Sequence, residues 1–116
     1  MTKATSNLPM LDTAQTATVT FDFCNMLDLG VTLIGTPTVL VTVAPTSVKP
    51  DASPGHVLLT TPRIGISPGS GRASQAVLIQ IGTLLPGVTY VLQCYCPDSN
   101  GDTPSIYTHA SATIPI

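Results

Sequence analysis

The strongest constraint on this chain is a two-residue alternation that recurs along its length. Over residues 16–23, Ala17, Val19, Phe21 and Phe23 take one parity while Thr16, Thr18, Thr20 and Asp22 take the other. Successive side chains of a β-strand point to opposite faces, so the pattern predicts a strand with one apolar and one wet face. Val39, Val41 and Val43 repeat it within residues 38–44. Val77, Ile79 and Ile81 stand against Leu78 and Gln80 within 74–81, and Tyr90, Leu92, Cys94 and Cys96 against Val91, Gln93 and Tyr95 within 90–96. Shorter strands are expected at 31–34, 56–60 and 63–67, and a last one over 106–114. Glycine and proline punctuate these runs, as in Gly35-Thr36-Pro37 and Pro68-Gly69-Ser70-Gly71.

Composition closes the helical route. There is no glutamate, only two lysines occur, and 9% of residues are charged, so the residues that cover the outer faces of helices are nearly absent. Serine and threonine make up about a quarter of the chain and, with Val and Ile, suit a pleated, half-buried surface. Seven or eight short strands with no helix between them exclude a parallel βαβ sheet and leave an all-β sandwich or barrel. A length of 116 residues supports one core. Residues 1–15, where Leu8, Pro9, Met10 and Leu11 sit in a polar context, read as an N-terminal arm, and residues 16–116 as the domain. Residues 45–55, 67–73 and 97–105 read as exposed loops.

One local motif favours the sandwich. Leu84-Leu85-Pro86-Gly87-Val88-Thr89-Tyr90 fits L-x-P-G-x-x-Y, the pattern of a tyrosine corner, in which a buried phenol returns its hydroxyl to the preceding turn. Leu84, Pro86, Gly87 and Tyr90 are its structural residues. The fold expected is therefore an immunoglobulin- or fibronectin-III-like β-sandwich of about seven or eight antiparallel strands. Three cysteines do not suit a secreted disulfide framework. Cys94 and Cys96 stand two apart on one strand, roughly 6.5–7 Å between Cα atoms, at the limit for a bridge. They read, with Cys24, as small buried hydrophobes. The alternative is a Cys24–Cys94 inter-sheet bridge of the immunoglobulin kind, which a reducing compartment disfavours.

Chemistry is hard to place on these residues. His56 and His109 are too few for a three-histidine zinc site, and Cys94-x-Cys96 is one residue short of C-x-x-C, so no metal or cofactor is expected. No G-x-S-x-G elbow is present, and Gly69-Ser70-Gly71-Arg72 lacks the Lys-Ser/Thr pair of a phosphate loop. Asp98 and Asp102 flank a turn whose composition already explains them. No catalytic residues and no small-molecule substrate are expected. Four basic residues, Lys3, Lys49, Arg63 and Arg72, against a net charge of −2 offer little for nucleic acid. The N-terminus shows no apolar leader and no run reaches the length of a membrane span, so synthesis and retention in the cytosol are expected unless an assembly carries the chain out.

A wider spacing resembles a known family. Phe21-Asp22-Phe23 near the start, Pro86-Gly87-Val88-Thr89-Tyr90-Val91-Leu92-Gln93-Cys94, Gly101 in a hairpin loop and the closing Ala112-Thr113-Ile114-Pro115-Ile116 together are similar to the small immunoglobulin-like virion proteins of tailed bacteriophages, some labelled fibre-tail adaptor proteins. The likeness covers roughly residues 17–116. It departs in carrying Cys24-Asn25-Met26-Leu27 where such proteins usually have a tryptophan. The resemblance implies a non-enzymatic structural protein made in the host cytoplasm and incorporated into the virion. Its partners would be tail, neck or capsid proteins and copies of itself.

Physical chemistry points the same way. A lone domain with so few charges has little electrostatic protection against association, and its mean hydropathy is positive. Leu78, Val91 and Tyr95, opposite the inward series on their strands, are the candidate interface residues. The competing expectation is a β-sandwich module that binds a glycan or host surface through its loops; the loops at 45–55, 67–73 and 97–105 contain no aromatic residue.

Overall fold

The structure, a computed structural model, describes the main chain of residues 3–7 and the whole of residues 16–111. Seven strands appear in it: β1 (Lys3–Asn7), β2 (Ala17–Asp22), β3 (Thr38–Val43), β4 (Arg63–Gly65), β5 (Ala76–Ile81), β6 (Thr89–Tyr95) and β7 (Ser105–Ser111). They form two sheets, one in the order β1-β7-β6-β3 and one in the order β2-β5-β4. The protein is all-β, and the only helical element among the described residues is a single 3-10 turn, Pro54–Val57.

Alternation decides which face of each strand is buried. In β2 and β5 the pairs Ala17↔Ile81, Val19↔Ile79 and Phe21↔Val77 form the inward rows, with Thr18↔Gln80 and Thr20↔Leu78 on the reverse. In the larger sheet Val39↔Cys94, Val41↔Leu92 and Val43↔Tyr90 point inward, continued on β7 by Ile106, Thr108 and Ala110. The two inward faces share one apolar cluster in which Phe21, Phe23, Val77, Ile81, Tyr90, Leu92 and Cys94 are buried. Cross-strand pairs of aromatic and β-branched side chains are what stabilise such a core.

The strands depart from expectation in four places. Residues 31–34 form no strand; Leu33 makes one isolated bridge to Asp98 and stays buried, and Gly35, at φ +72°, turns the chain out before a ladder can grow. Residues 56–60 form no strand either. Pro54 starts the 3-10 turn, where its missing N–H costs nothing, and the chain then touches the sheet by a single bridge, Leu58↔Ile81. The strand expected over 63–67 ends at Gly65, because Ser67 turns inward beneath its own loop while Ile66 faces solvent. Lastly, strand pairing is not wholly antiparallel: β1, within the expected N-terminal arm, runs parallel to β7, with Lys3 opposite Ser105 and Asn7 opposite His109. Residues 1, 2 and 8–15 of that arm lie outside the described residues, as do residues 112–116, which include the end of the expected last strand and the closing Ala112-Thr113-Ile114-Pro115-Ile116.

Candidate functional site

The outer face of the larger sheet is built by the residues that alternate with its core. Register places Thr38 beside Tyr95, and sets two rows across the three strands, Leu40–Gln93–Tyr107 and Thr42–Val91–His109. None of these is an acid, a lysine or an arginine. Leu40 is 46% exposed, and Val91, Tyr95 and Tyr107 are half-buried. Two of the three expected interface residues, Val91 and Tyr95, thus share this face. Leu78 does not: it lies on the reverse of the other sheet, between Thr20 of β2 and Arg63 of β4. There its Cδ1 leans over Gly65, where an added Cβ would fall only 2.5 Å away. Together with Thr18, Thr60, Arg63 and Gln80 it lines an open depression of about 230 Å³. The three residues therefore belong to two opposite surfaces.

At the end of β6 a polar chain replaces apolar packing. Tyr90 is fully buried; its hydroxyl accepts a hydrogen bond from the Leu85 N–H (3.2 Å) and donates one to Asp51 Oδ2 (2.7 Å). The same carboxylate oxygen meets His56 Nε2 at 2.6 Å, where the imidazole N–H donates. On the far side of the ring, Nδ1 lies 3.1 Å from Thr83 Oγ1, whose hydroxyl donates to the His56 carbonyl at 2.9 Å. Leu84 is buried in the core, and Pro86 and Gly87 are half-buried in the turn that the Tyr90 hydroxyl closes. A hydroxyl, an imidazole and a carboxylate in line are the parts of an acyl-transfer relay, yet here the Thr83 hydroxyl is committed to a carbonyl. The cluster acts as a clamp, tying the loop before the 3-10 turn to the turn ahead of β6.

Composition marks residues 45–55 as solvated, and nothing in the spacing singles out Asp51, whose side chain is only 6% exposed. The clamp's partners are distant in sequence, so no local signal joins Asp51 and His56 to Thr83 and Tyr90. Asp22 was likewise expected on the wet face of its strand. Its Oδ1 accepts from the Cys24 N–H (3.0 Å) and the Ser67 hydroxyl (2.6 Å), and its Oδ2 from the Gly69 N–H (2.9 Å), which draws the 67–71 loop against the sheet.

These contacts shift titration. The Tyr90 hydroxyl, more than any other group, holds the Asp51 carboxyl below its ordinary value of 3.8, with help from the Ser53 N–H and His56. Burial pushes Asp22 up, but the hydroxyl of Ser67 and the N–H groups of Cys24 and Gly69 outweigh it, and the net direction is down. Burial, followed by the adjacent Asp51 carboxylate, pushes the Tyr90 phenol up to about 12. A lowered carboxyl stabilises the fold above the unfolded aspartate pKa, and that stability is lost as pH falls through the lowered value. The raised phenol stabilises the fold below pH ~10, the value in an unfolded chain, and that stability is lost as pH rises toward 12. The denaturation midpoint is therefore expected to fall on both sides, below about pH 4 and between about pH 10 and 12. Urea titrations across this range check it, and a midpoint flat to pH 12 contradicts the Tyr90 contact.

All three thiols are free, so no Cys24–Cys94 bridge forms. Burial, with Cys96 nearby, pushes Cys94 far up, and burial, with Asp98 nearby, raises Cys96, so neither is a ready thiolate. Among the described residues no group of three or more His, Cys, Asp or Glu is placed to hold a metal ion, and no helix is long and apolar enough to cross a membrane. Comparison with family models, curated proteins and solved structures finds no match.

Proposed function

We propose that the chain is a non-enzymatic structural virion protein of a tailed bacteriophage: an immunoglobulin-like adaptor or decoration subunit that docks on tail, neck or capsid proteins and on copies of itself. Support for the immunoglobulin-like part comes from strand order. β2-β5-β4 has the neighbours of strands B, E and D of that sandwich, and β3-β6-β7 those of C, F and G, with Tyr90 near the start of the strand corresponding to F. The sequence resemblance to small phage virion proteins supplies the setting.

The observation that carries the docking role is the outer face of β3, β6 and β7, where Leu40, Val91, Tyr95 and Tyr107 share one surface that holds no acid, lysine or arginine. Tyrosine enrichment and the absence of lysine and acidic side chains are what distinguish the centre of a protein interface from ordinary surface. The expected result is that the protein is found by mass spectrometry in purified particles of the phage that encodes it. A Val91→Asp/Tyr95→Asp chain should still fold, with its stability lowered by about 2 kcal/mol, yet be recovered in particles at least tenfold less. Absence of the wild-type chain from particles overturns the proposal, and glycan-array binding unaffected by the double substitution transfers the role to a glycan-binding module.

A further inference from the structure

The outer edge of β7, the one turned away from β6, carries more than the fold requires. β1 is the outermost strand, paired with β7 and with no strand on its other side among the described residues. Its main chain runs in register with β7 from Lys3↔Ser105 to Asn7↔His109. Of its five residues, Lys-Ala-Thr-Ser-Asn, only alanine is apolar. The main-chain ladder therefore supplies most of what keeps it in place, as it does wherever an extended segment adds to a sheet edge. A ladder of this kind cannot tell one copy's residues 3–7 from another's.

We propose that the β7 edge is a strand-acceptor site whose occupant, when copies are crowded together, is residues 3–7 of a second copy of this chain, in the same parallel register. Contacts in the exchanged and unexchanged forms are identical, so the choice between them is set by the effective concentration of the two strands. The tether permits it. Nine residues lie between Asn7 and Ala17, and at full extension they span about 30 Å, more than the 24 and 20 Å shorter dimensions of the protein. Copies packed side by side would lie at separations of that order, which makes the exchange a link between neighbours that needs no new surface. It is independent of the outer face of β3, β6 and β7, which lies on the sheet's broad side.

The test uses full-length chains carrying Cys24→Ser. Thr5→Cys is placed in one chain and Tyr107→Cys in another, positions opposite each other in the register. Mixed at millimolar concentration under mild oxidation, they are expected to give a disulfide-linked heterodimer. Its yield should be at least tenfold above that of Lys3→Cys mixed with Tyr107→Cys, which is out of register, and should fall on dilution. Equal yields from the two mixtures overturn the proposal. So does a Thr5→Cys/Tyr107→Cys chain that closes only within itself at every concentration, and one that closes in neither way removes the pairing on which the proposal rests. Should Tyr107→Cys fail to fold, Asn7→Cys with His109→Cys replaces the pair. As a second reading, Thr5→Pro removes a main-chain donor from β1 while leaving β7 intact. It should abolish concentration-dependent association seen by sedimentation equilibrium, whereas association through the sheet face would survive it and be lost in Val91→Asp/Tyr95→Asp. Association unchanged by Thr5→Pro counts against the exchange.

Discussion

Phe23→Ala is expected to cost about 3–5 kcal/mol of folding free energy, among the largest losses from a single truncation in this core. Phe23 follows β2, has no exposed surface, and anchors the chain by donating its N–H to the Gln75 carbonyl at 2.9 Å. It joins the cluster where the two sheets meet, so its removal opens a cavity that neither sheet can close without losing register. Small domains have about 5–15 kcal/mol in total, and the urea midpoint should fall by about a fifth or more with the slope unchanged. Phe23→Leu, which keeps most of the volume, should cost under about 1.5 kcal/mol. A midpoint equally insensitive to both would mean that the ring is not part of a packed core.

The second large effect belongs to a single oxygen. Tyr90→Phe keeps the ring and its burial but leaves the Leu85 N–H and the Asp51 carboxylate without their shared partner. Loss of a buried hydrogen bond to a charged group costs roughly 1.5–3 kcal/mol. Two further readouts distinguish this from a packing defect. The carboxyl of Asp51 should titrate closer to the ordinary aspartate value, because its largest lowering influence is gone. The loss of stability between about pH 10 and 12 should also shrink. Both are measurable, the first by carbon-detected NMR of the carboxyl and the second by urea titration. An Asp51→Asn chain combined with Tyr90→Phe should lose less than the two losses added, as expected of groups in direct contact.

Where alternation was strong, the sequence was sufficient. Residues 16–23, 74–81 and 90–96 carry enough apolar side chains of one parity that only one face can go inward, and Val19, Ile79 and Leu92 are buried as their parity demands. Short runs were less decisive. Val31 to Ile34 and His56 to Thr60 have β-prone composition, but their flanking glycine and proline set the local path, and each contributes a single bridge in place of a ladder. β1 was illegible for a different reason: Lys3-Ala4-Thr5-Ser6-Asn7 has no apolar rhythm, since its partner is found through main-chain groups that every sequence shares. The clamp at Tyr90 was half legible. The motif around Pro86 and Gly87 pointed to the tyrosine, but Asp51 and His56 come from a loop whose polarity reads as solvation, and only folding brings a carboxylate beneath the phenol. Val91 and Tyr95 shared a face because they share a strand and a parity on it. Leu78 could not be assigned to the same or the opposite side before the strand order was known.

The parallel pairing of β1 with β7 also sets an order of events during synthesis. Lys3 and Ser105 are about a hundred residues apart, and closing a loop of that length is among the costliest entropic steps the chain takes. β1 therefore has nothing to pair with until β7 has been made, and its docking follows the pairing of the strands between them. A nascent chain passes through a stage at which residues 3–7 are still waiting for β7. On a polysome, where neighbouring ribosomes read one message close together, that delay gives β1 of one chain time to meet the β7 edge of the chain ahead of it.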